Sequence, residues 1–236
     1  TQFASVGSYA DQMLLHENGI VKIDKDLPFG VAALIGCGVT TGVGAALRTA
    51  KVTPGSTVAV FGAGGIGLSA IQGARIAGAR KIIAVDMVEH KLQTAREFGA
   101  TDGVDASLGD PVKQIQDLTD GLGVDFSFEA IGLKVAAEQA WAALRAGGTA
   151  TVIGMIPIGQ NVEIPGNEFL REKKIQGSSM GSNSFKVDMP QYIEFYRQGR
   201  LKLDEMITKT RPLEEINEAF ADMKSGEVAR SVIMFD

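Results

Sequence analysis

The stretch TVAVFGAGGIGLSAIQGARIAGARKIIAVD, residues 57–86, decides the fold. TVAVF is a continuous apolar β-rich run. GAGGIG follows it without a break, a helical pattern extends from Gly65 to about Gly78, and KIIAVD then begins a second β-rich run. That order is a βαβ unit. Gly62-Ala63-Gly64-Gly65-Ile66-Gly67 has the spacing G-x-G-x-x-G where a dinucleotide fingerprint requires it, straight after a strand and opening a helix. In such a turn the first glycine permits the tight bend, the second lets backbone approach a pyrophosphate, and the third lets helix and strand pack closely. The helix N-terminus adds amide hydrogens and partial positive charge. Asp86 ends the second strand, 19 residues after Gly67. A carboxylate there either accepts hydrogen bonds from the adenosine ribose or caps the next helix; as a ribose ligand it repels a 2′-phosphate, which predicts NAD rather than NADP. Lys91 reads either as a second ribose contact or as one solvated lysine among many.

Outward from this unit the alternation continues. A helix is expected from Val88 to Phe98, a short strand near Gly103-Val104, and a helix opening at Asp110-Pro111, where Asp caps and Pro suits the first helical position. VDFSFEA (124–130), a helix from about Val135 to Leu144, TATVIG (149–154) and KKIQGSS (173–179) follow. The expected fold class is α/β, a doubly wound parallel sheet over 39–179. The flanks lack this rhythm. Residues 1–38 hold an expected strand at YADQMLL (9–15), then KID and a short helix opening at Pro28. Within 180–236, Leu213, Ile216, Phe220 and Met223 share one helical face, with Pro212 near its start and Gly226 at its end, before a strand SVIMF (231–235).

The 236 residues carry 23 Lys+Arg against 28 Asp+Glu, a net charge of −5, which is no nucleic-acid footprint. No apolar run is expected to approach the roughly 18 residues of a membrane span. A single cysteine, Cys37, forbids an intrachain disulfide, fits a reducing compartment, and with no basic-then-apolar leader predicts a cytoplasmic protein. By residue type alone Cys37 reads as a small buried hydrophobe. His16 reads as a strand end and His90 as a solvated helix residue; neither belongs to a local spacing that assembles three zinc ligands. The absence of a G-x-S-x-G elbow and of a P-loop argues against hydrolases and phosphate-transferring NTPases. Arg230 reads as a pyrophosphate clamp or an ordinary surface arginine. Ile153, Met155 and Met180 read as nicotinamide-pocket or core residues.

GCGVTTGVGAAL (36–47), VTPGSTVAVFGAGGIGLSAIQG (52–73), VDFSFEAIG (124–132), EINEAF (215–220) and SGEVARSVIMF (225–235) together carry a family resemblance. The chain resembles the zinc-dependent alcohol dehydrogenases of the medium-chain dehydrogenase/reductase family, nearest to the class III type that oxidises S-hydroxymethyl-thiol adducts. The resemblance implies a Rossmann coenzyme domain over 39–179, with 1–38 and 180–236 as pieces of a mostly β, GroES-like catalytic domain. It implies that Cys37 is a catalytic zinc ligand and that Thr41 lies beside the nicotinamide. Gly62, Ala63, Gly64, Gly65, Ile66, Gly67, Asp86 and Lys91 match the pyrophosphate and adenosine-ribose contacts. Ala130 and Ile131 match the adenine-side wall, Ile153, Gly154, Met155, Ser178 and Met180 the nicotinamide-holding segments, and Arg230 the pyrophosphate arginine.

By resemblance the reaction is hydride transfer between an alcohol or aldehyde and NAD, with zinc as Lewis acid. The first Cys ligand, the Gly-His-Glu segment and the proton-relay Ser/Thr of the family have no counterpart in the sequence. The expectation is therefore a chain matching the later part of such an enzyme, inactive alone and holding zinc weakly. A stand-alone NAD-binding module and a zinc-free quinone reductase relative are the alternatives. A homodimer or homotetramer is expected through the edge strand of the coenzyme sheet within 151–179.

Overall fold

Two apolar features shape the beginning of the structure, a computed structural model that describes residues 6–10, 12–225 and 228–235, with Ser225 in backbone only. Residues 12–15 of the expected strand at 9–15 form no strand, and Asp11 lies outside the described residues. Leu14 stands in solvent, so nothing in its surroundings rewards a ladder. Pro28 does open a helix, α1 (Phe29–Leu34), through its fixed φ of −57°. Helical backbone then continues to Thr49 and includes α2 (Thr40–Gly44). This 21-residue run is long and apolar enough to cross a membrane by length and composition, contrary to the expectation that no such run exists. Its apolar stretch is 72% buried inside the protein, as in the core helix of a globular unit.

The chain falls into two units, Cys37–Asn183 and the segments flanking it. In the first, β1 (Thr57–Phe61) is buried at every position, which is why its sequence shows no polar alternation. From it the chain alternates through α3 (Gly65–Ile76), β2 (Lys81–Asp86), α4 (Glu89–Glu97), β3 (Asp102–Asp105), α5 (Pro111–Asp117), β4 (Val124–Glu129), α6 (Lys134–Ala142), β5 (Leu144–Val152) and β6 (Lys174–Gly177). The sheet is six-stranded in the order β3-β2-β1-β4-β5-β6, with parallel pairing throughout. This is an α/β Rossmann-like fold, with the order reversing between β1 and β4. Asp110 caps α5 as expected, its Oδ1 accepting from the Val112 amide at 2.9 Å. β5 starts five residues before the expected 149, because Leu144 already pairs with Val124 ahead of a bulge. The core beneath this sheet includes Phe61, Ile83, Val85, Ile115, Trp141 and Leu144.

In the flanking unit, α7 (Phe185–Arg197) is absent from the sequence reading. The Gly-Ser-Asn run before it and Pro190 within it conceal a 13-residue helix. β7 (Lys209–Pro212) pairs in parallel with β8 (Ser231–Met234), and α8 (Ile216–Ser225) connects them. The apolar face expected there is only partly covered. Leu213 sits in a separate 3-10 turn, Ala219 is the buried residue, and Phe220 and Met223 are exposed. Gly226, the expected helix end, lies outside the described residues.

Candidate coenzyme site

The site grows from the switch point of the sheet, between β1 and β4, where doubly wound sheets place a ligand crevice. The Gly62 amide still bonds to Val85 O at 2.7 Å, so the turn starts while the strand is held by its neighbour. Gly62 then takes φ +95°, which favours glycine. A Cβ on Gly67 would lie 1.7 Å from Gly62 O, so α3 crosses the turn in direct backbone contact. A Cβ on Gly64 would meet nothing within 4 Å. The fingerprint thus has one glycine enforced by internal packing and one that faces open space at the start of a helix, which leaves room for a ligand.

Asp86 does more than end β2. Its Oδ2 accepts from the Ala63 amide at 2.8 Å, and its Oδ1 accepts from the amides of Met87 at 2.9 Å and Val88 at 3.2 Å. The carboxylate therefore ties the glycine turn to the start of α4. A carboxylate has about four lone-pair sites. Three are occupied, leaving capacity for a hydroxyl donor. Lys91 is half-buried on the first turn of α4.

Across the crevice, the Ala130 amide bonds to Phe61 O at 2.9 Å, and Ile131 reaches over the glycine turn, with its Cγ1 2.6 Å from where a Gly62 Cβ would stand. Ile153 and Gly154 leave β5 beside them, Met155 is 86% exposed, and Ile153 and Met180 are half-buried, so none of the three is a core residue. The Ser178 amide bonds to Val152 O at 2.9 Å, and its hydroxyl lies 2.8 Å from Thr49 Oγ1, which also meets Ser182 Oγ at 2.8 Å. Thr41 Oγ1 donates to Met180 Sδ at 3.6 Å. Met180, Gly181 and Ser182 all hold positive φ, 48°, 70° and 54°. The Asn183 side chain fixes that turn by donating to Thr40 O at 2.8 Å and Met180 O at 2.6 Å. Backbone held this far from ordinary conformations is found where a site over-determines it.

Cys37 is exposed, in a π-helical stretch (Ile35–Val39), which corrects the reading of it as a buried hydrophobe. His90 is exposed on α4 as expected. His16 is no strand end; its Nδ1 accepts from the Asn18 amide at 3.1 Å and caps a single 3-10 turn (Glu17–Gly19). Arg230 belongs to the flanking unit, directly before β8, where its carbonyl accepts from the Thr208 amide at 3.0 Å.

Glu129 is the residue the sequence reading passed over. It is fully buried at the end of β4, with Oε1 accepting from the amides of Ile131 at 2.8 Å, Gly132 at 2.6 Å and Leu133 at 3.4 Å. Its Oε2 lies 3.2 Å from the Gly154 amide. The available signal was an acidic residue closing the apolar run FSFEAIG, where a buried charge requires several donors.

The architecture is of the Rossmann-like α/β class. The family model described as zinc-binding dehydrogenase matches residues 65–198, more than half of the chain. The chain belongs to the zinc-binding dehydrogenase family. It is 38% identical, over 99% of its own length, to S-(hydroxymethyl)glutathione dehydrogenase of Saccharomyces cerevisiae, in agreement with the class III resemblance. It spans 62% of that relative's length. Among solved structures it resembles benzyl alcohol dehydrogenase from Acinetobacter calcoaceticus, with TM-score 0.88 and 36% identity over 92% of this chain and 59% of that one. An alcohol dehydrogenase zinc-binding domain protein from Burkholderia ambifaria also has TM-score 0.88, with 37% identity over 92% of this chain and 58% of that one.

Proposed function

We propose that residues 37–183 hold NAD, and that the chain serves an NAD-dependent alcohol dehydrogenase acting on a small alcohol or aldehyde. The observation that carries this reading is the pairing of Gly64, open at the start of α3, with Asp86 at the end of β2. When bound, NAD supplies the hydride acceptor at its nicotinamide ring. The first-turn amides of α3 receive the pyrophosphate, with the helix N-terminus favouring its charge. Asp86 uses its remaining acceptor capacity on the adenosine ribose and repels a 2′-phosphate, with Lys91 alongside. Ala130, Ile131, Ile153, Gly154 and Met155 wall the crevice, and Thr41, Ser178 and Met180 close its nicotinamide end.

Zinc fits less well. Among the described residues no three His, Cys, Asp or Glu come together as metal ligands, and Cys37 stands exposed without such companions. The described residues do not complete a zinc site; Cys37 would supply one ligand of it, and no step is derived through the metal. The names of the yeast and Acinetobacter relatives favour a primary alcohol or a hydroxymethyl thiol adduct as substrate. A cytoplasmic location and a dimer or dimer of dimers through the open edge of β6 complete the reading, the latter checked by gel filtration.

The test is a fluorescence titration with NADH and NADPH. NADH should bind at least about tenfold more tightly, and Asp86→Asn should narrow that preference by about tenfold, one charge-assisted hydrogen bond. Equal affinity for the two coenzymes in the unaltered protein would remove Asp86 from the ribose site.

A further inference from the structure

Two loops wall the crevice, and both converge on one buried carboxylate. The loop after β4 is held by three amides on Glu129 Oε1. The loop after β5 is held to the same residue twice, by the Ile153 and Gly154 amides on Glu129 O at 2.8 and 3.1 Å and by the Gly154 amide near Oε2 at 3.2 Å. The loops touch through glycine backbone. A Cβ on Gly154 would fall 2.1 Å from the Gly132 amide nitrogen, and a Cβ on Gly132 would fall 2.7 Å from Met155 O. The β4–β5 ladder ends here, at the Ile153 and Gly154 amides on Glu129 O, and beyond it the side-chain oxygens are the acceptors that hold the loops. A carboxylate that accepts from several amides is worth more per bond than a neutral acceptor and orients every donor toward one place.

We infer that Glu129 is a positioning residue: its buried carboxylate ties loop 153–155, on the nicotinamide side, to loop 131–133, on the adenine side, and so sets where the nicotinamide wall of the crevice stands. This rests on the coenzyme reading above. Glu129 is fully buried, so it acts through the loops it holds. Its two oxygens have unequal duties, because Oε1 organises the first loop alone and Oε2 links it to the second.

That inequality makes the inference testable. In Glu129→Gln the amide oxygen can keep the Ile131 and Gly132 bonds, and the NH2 group then faces the Gly154 amide, donor against donor. The first loop stays, and the second is pushed away. Titration calorimetry with NADH and with ADP-ribose, which lacks the nicotinamide, should show NADH about tenfold weaker in Glu129→Gln and ADP-ribose within about twofold of the unaltered protein. Ile115→Val, buried under the sheet away from the crevice, should lower the melting temperature while leaving both affinities alone. An unchanged NADH affinity, or equal losses for both ligands, would overturn the inference. If Glu129→Gln fails to fold, Glu129→Asp keeps the charge but draws it back by one methylene from the Gly132 and Gly154 amides, so it should show the same selective loss of NADH over ADP-ribose; NADH binding as tight as in the unaltered protein overturns the inference equally. Unaltered protein that binds neither ligand would instead overturn the coenzyme reading, and this inference with it.

Discussion

Adding one methyl group at either of two glycines three residues apart should have opposite consequences. At Gly67 the new Cβ would stand 1.7 Å from Gly62 O and 2.9 Å from Gly62 C. Both obstacles are backbone, fixed by the bond from the Gly62 amide to Val85 O. Relief requires the turn to move by more than an ångström. Overpacking of this kind costs typically about 1–3 kcal/mol, with backbone obstacles at the upper end. Alanine's better helix propensity offsets roughly 1 kcal/mol. A net loss of about 2 kcal/mol corresponds to a fall in melting temperature of roughly 4–8 °C for a chain of this size. At Gly64, with φ −77° and no neighbour within 4 Å, the Cβ meets only space. Gly64→Ala should melt within about 1 kcal/mol of the unaltered protein, the scale of an N-cap change.

Binding reverses the order of interest. If pyrophosphate comes against Gly64, its Cβ displaces the phosphate from the first-turn amides, and the loss of one or more charge-assisted bonds weakens NADH by roughly 10–100-fold. The assay is thermal unfolding followed by NADH titration well below the transition. Gly64→Ala should be stable and binding-deficient; Gly67→Ala should be destabilised first and deficient as a result. A Gly64→Ala protein that binds NADH normally would refute the placement of pyrophosphate at this turn. A Gly67→Ala protein that melts normally would refute the claim that the turn cannot yield.

Two further outcomes concern the sheet away from the crevice. Lys173, 5% exposed, donates to Glu168 Oε2 at 2.6 Å and lies 5.5 Å from the centroid of the Trp141 ring. Glu168→Gln strips a buried ammonium of its counter-charge and should cost about 1–3 kcal/mol, less than a fully buried pair because Glu168 reaches water. Lys173→Met removes the charge as well and should stay within about 1 kcal/mol, both read from the fluorescence of Trp141, the only tryptophan; a larger loss in Lys173→Met would reverse the account. Burial alone would raise the Asp125 carboxyl, but the Thr57 amide and hydroxyl, each at 2.7 Å, and the Arg145 guanidinium outweigh it and hold the group below the usual carboxylate range. A lowered folded value means that its stabilisation is complete above about pH 4 and is lost as pH falls below that, through the folded value. Thr57→Val should therefore flatten the dependence of melting temperature on pH below about pH 4, and an unchanged slope would show that the hydroxyl contributes nothing.

What the sequence made legible follows from the range over which each feature is encoded. The βαβ unit could be read because its signals are local: an apolar run, glycines at fixed spacing, an acid at the next strand end. These same signals specify backbone groups, and backbone groups make up most of the site proposed for the coenzyme. Glu129 was not legible for the complementary reason. Its partners, Ile131, Gly132, Leu133 and Gly154, are backbone amides with no side-chain signature, and the last is 25 residues away on another loop. Helix α7 was concealed by Pro190, which local rules read as a breaker although the helix continues through it. The positive-φ turn Met180–Ser182 was equally hidden, since only Gly181 is a residue type that announces such backbone.

The same distinction separates the two cofactors. A dinucleotide is held largely by main-chain amides and one carboxylate, so a contiguous stretch of about thirty residues can specify it. A catalytic zinc needs three side chains of particular chemistry, brought together from distant positions. Among the described residues Cys37 has no such companions. Its exposure on a π-helical turn, where a small apolar residue would ordinarily be packed away, is what distinguishes it from a core cysteine. Substituting Cys37 with Ser should accordingly leave both the melting temperature and NADH affinity near those of the unaltered protein. A destabilisation of about 2 kcal/mol or more would show that the thiol is buried by packing and return Cys37 to the core.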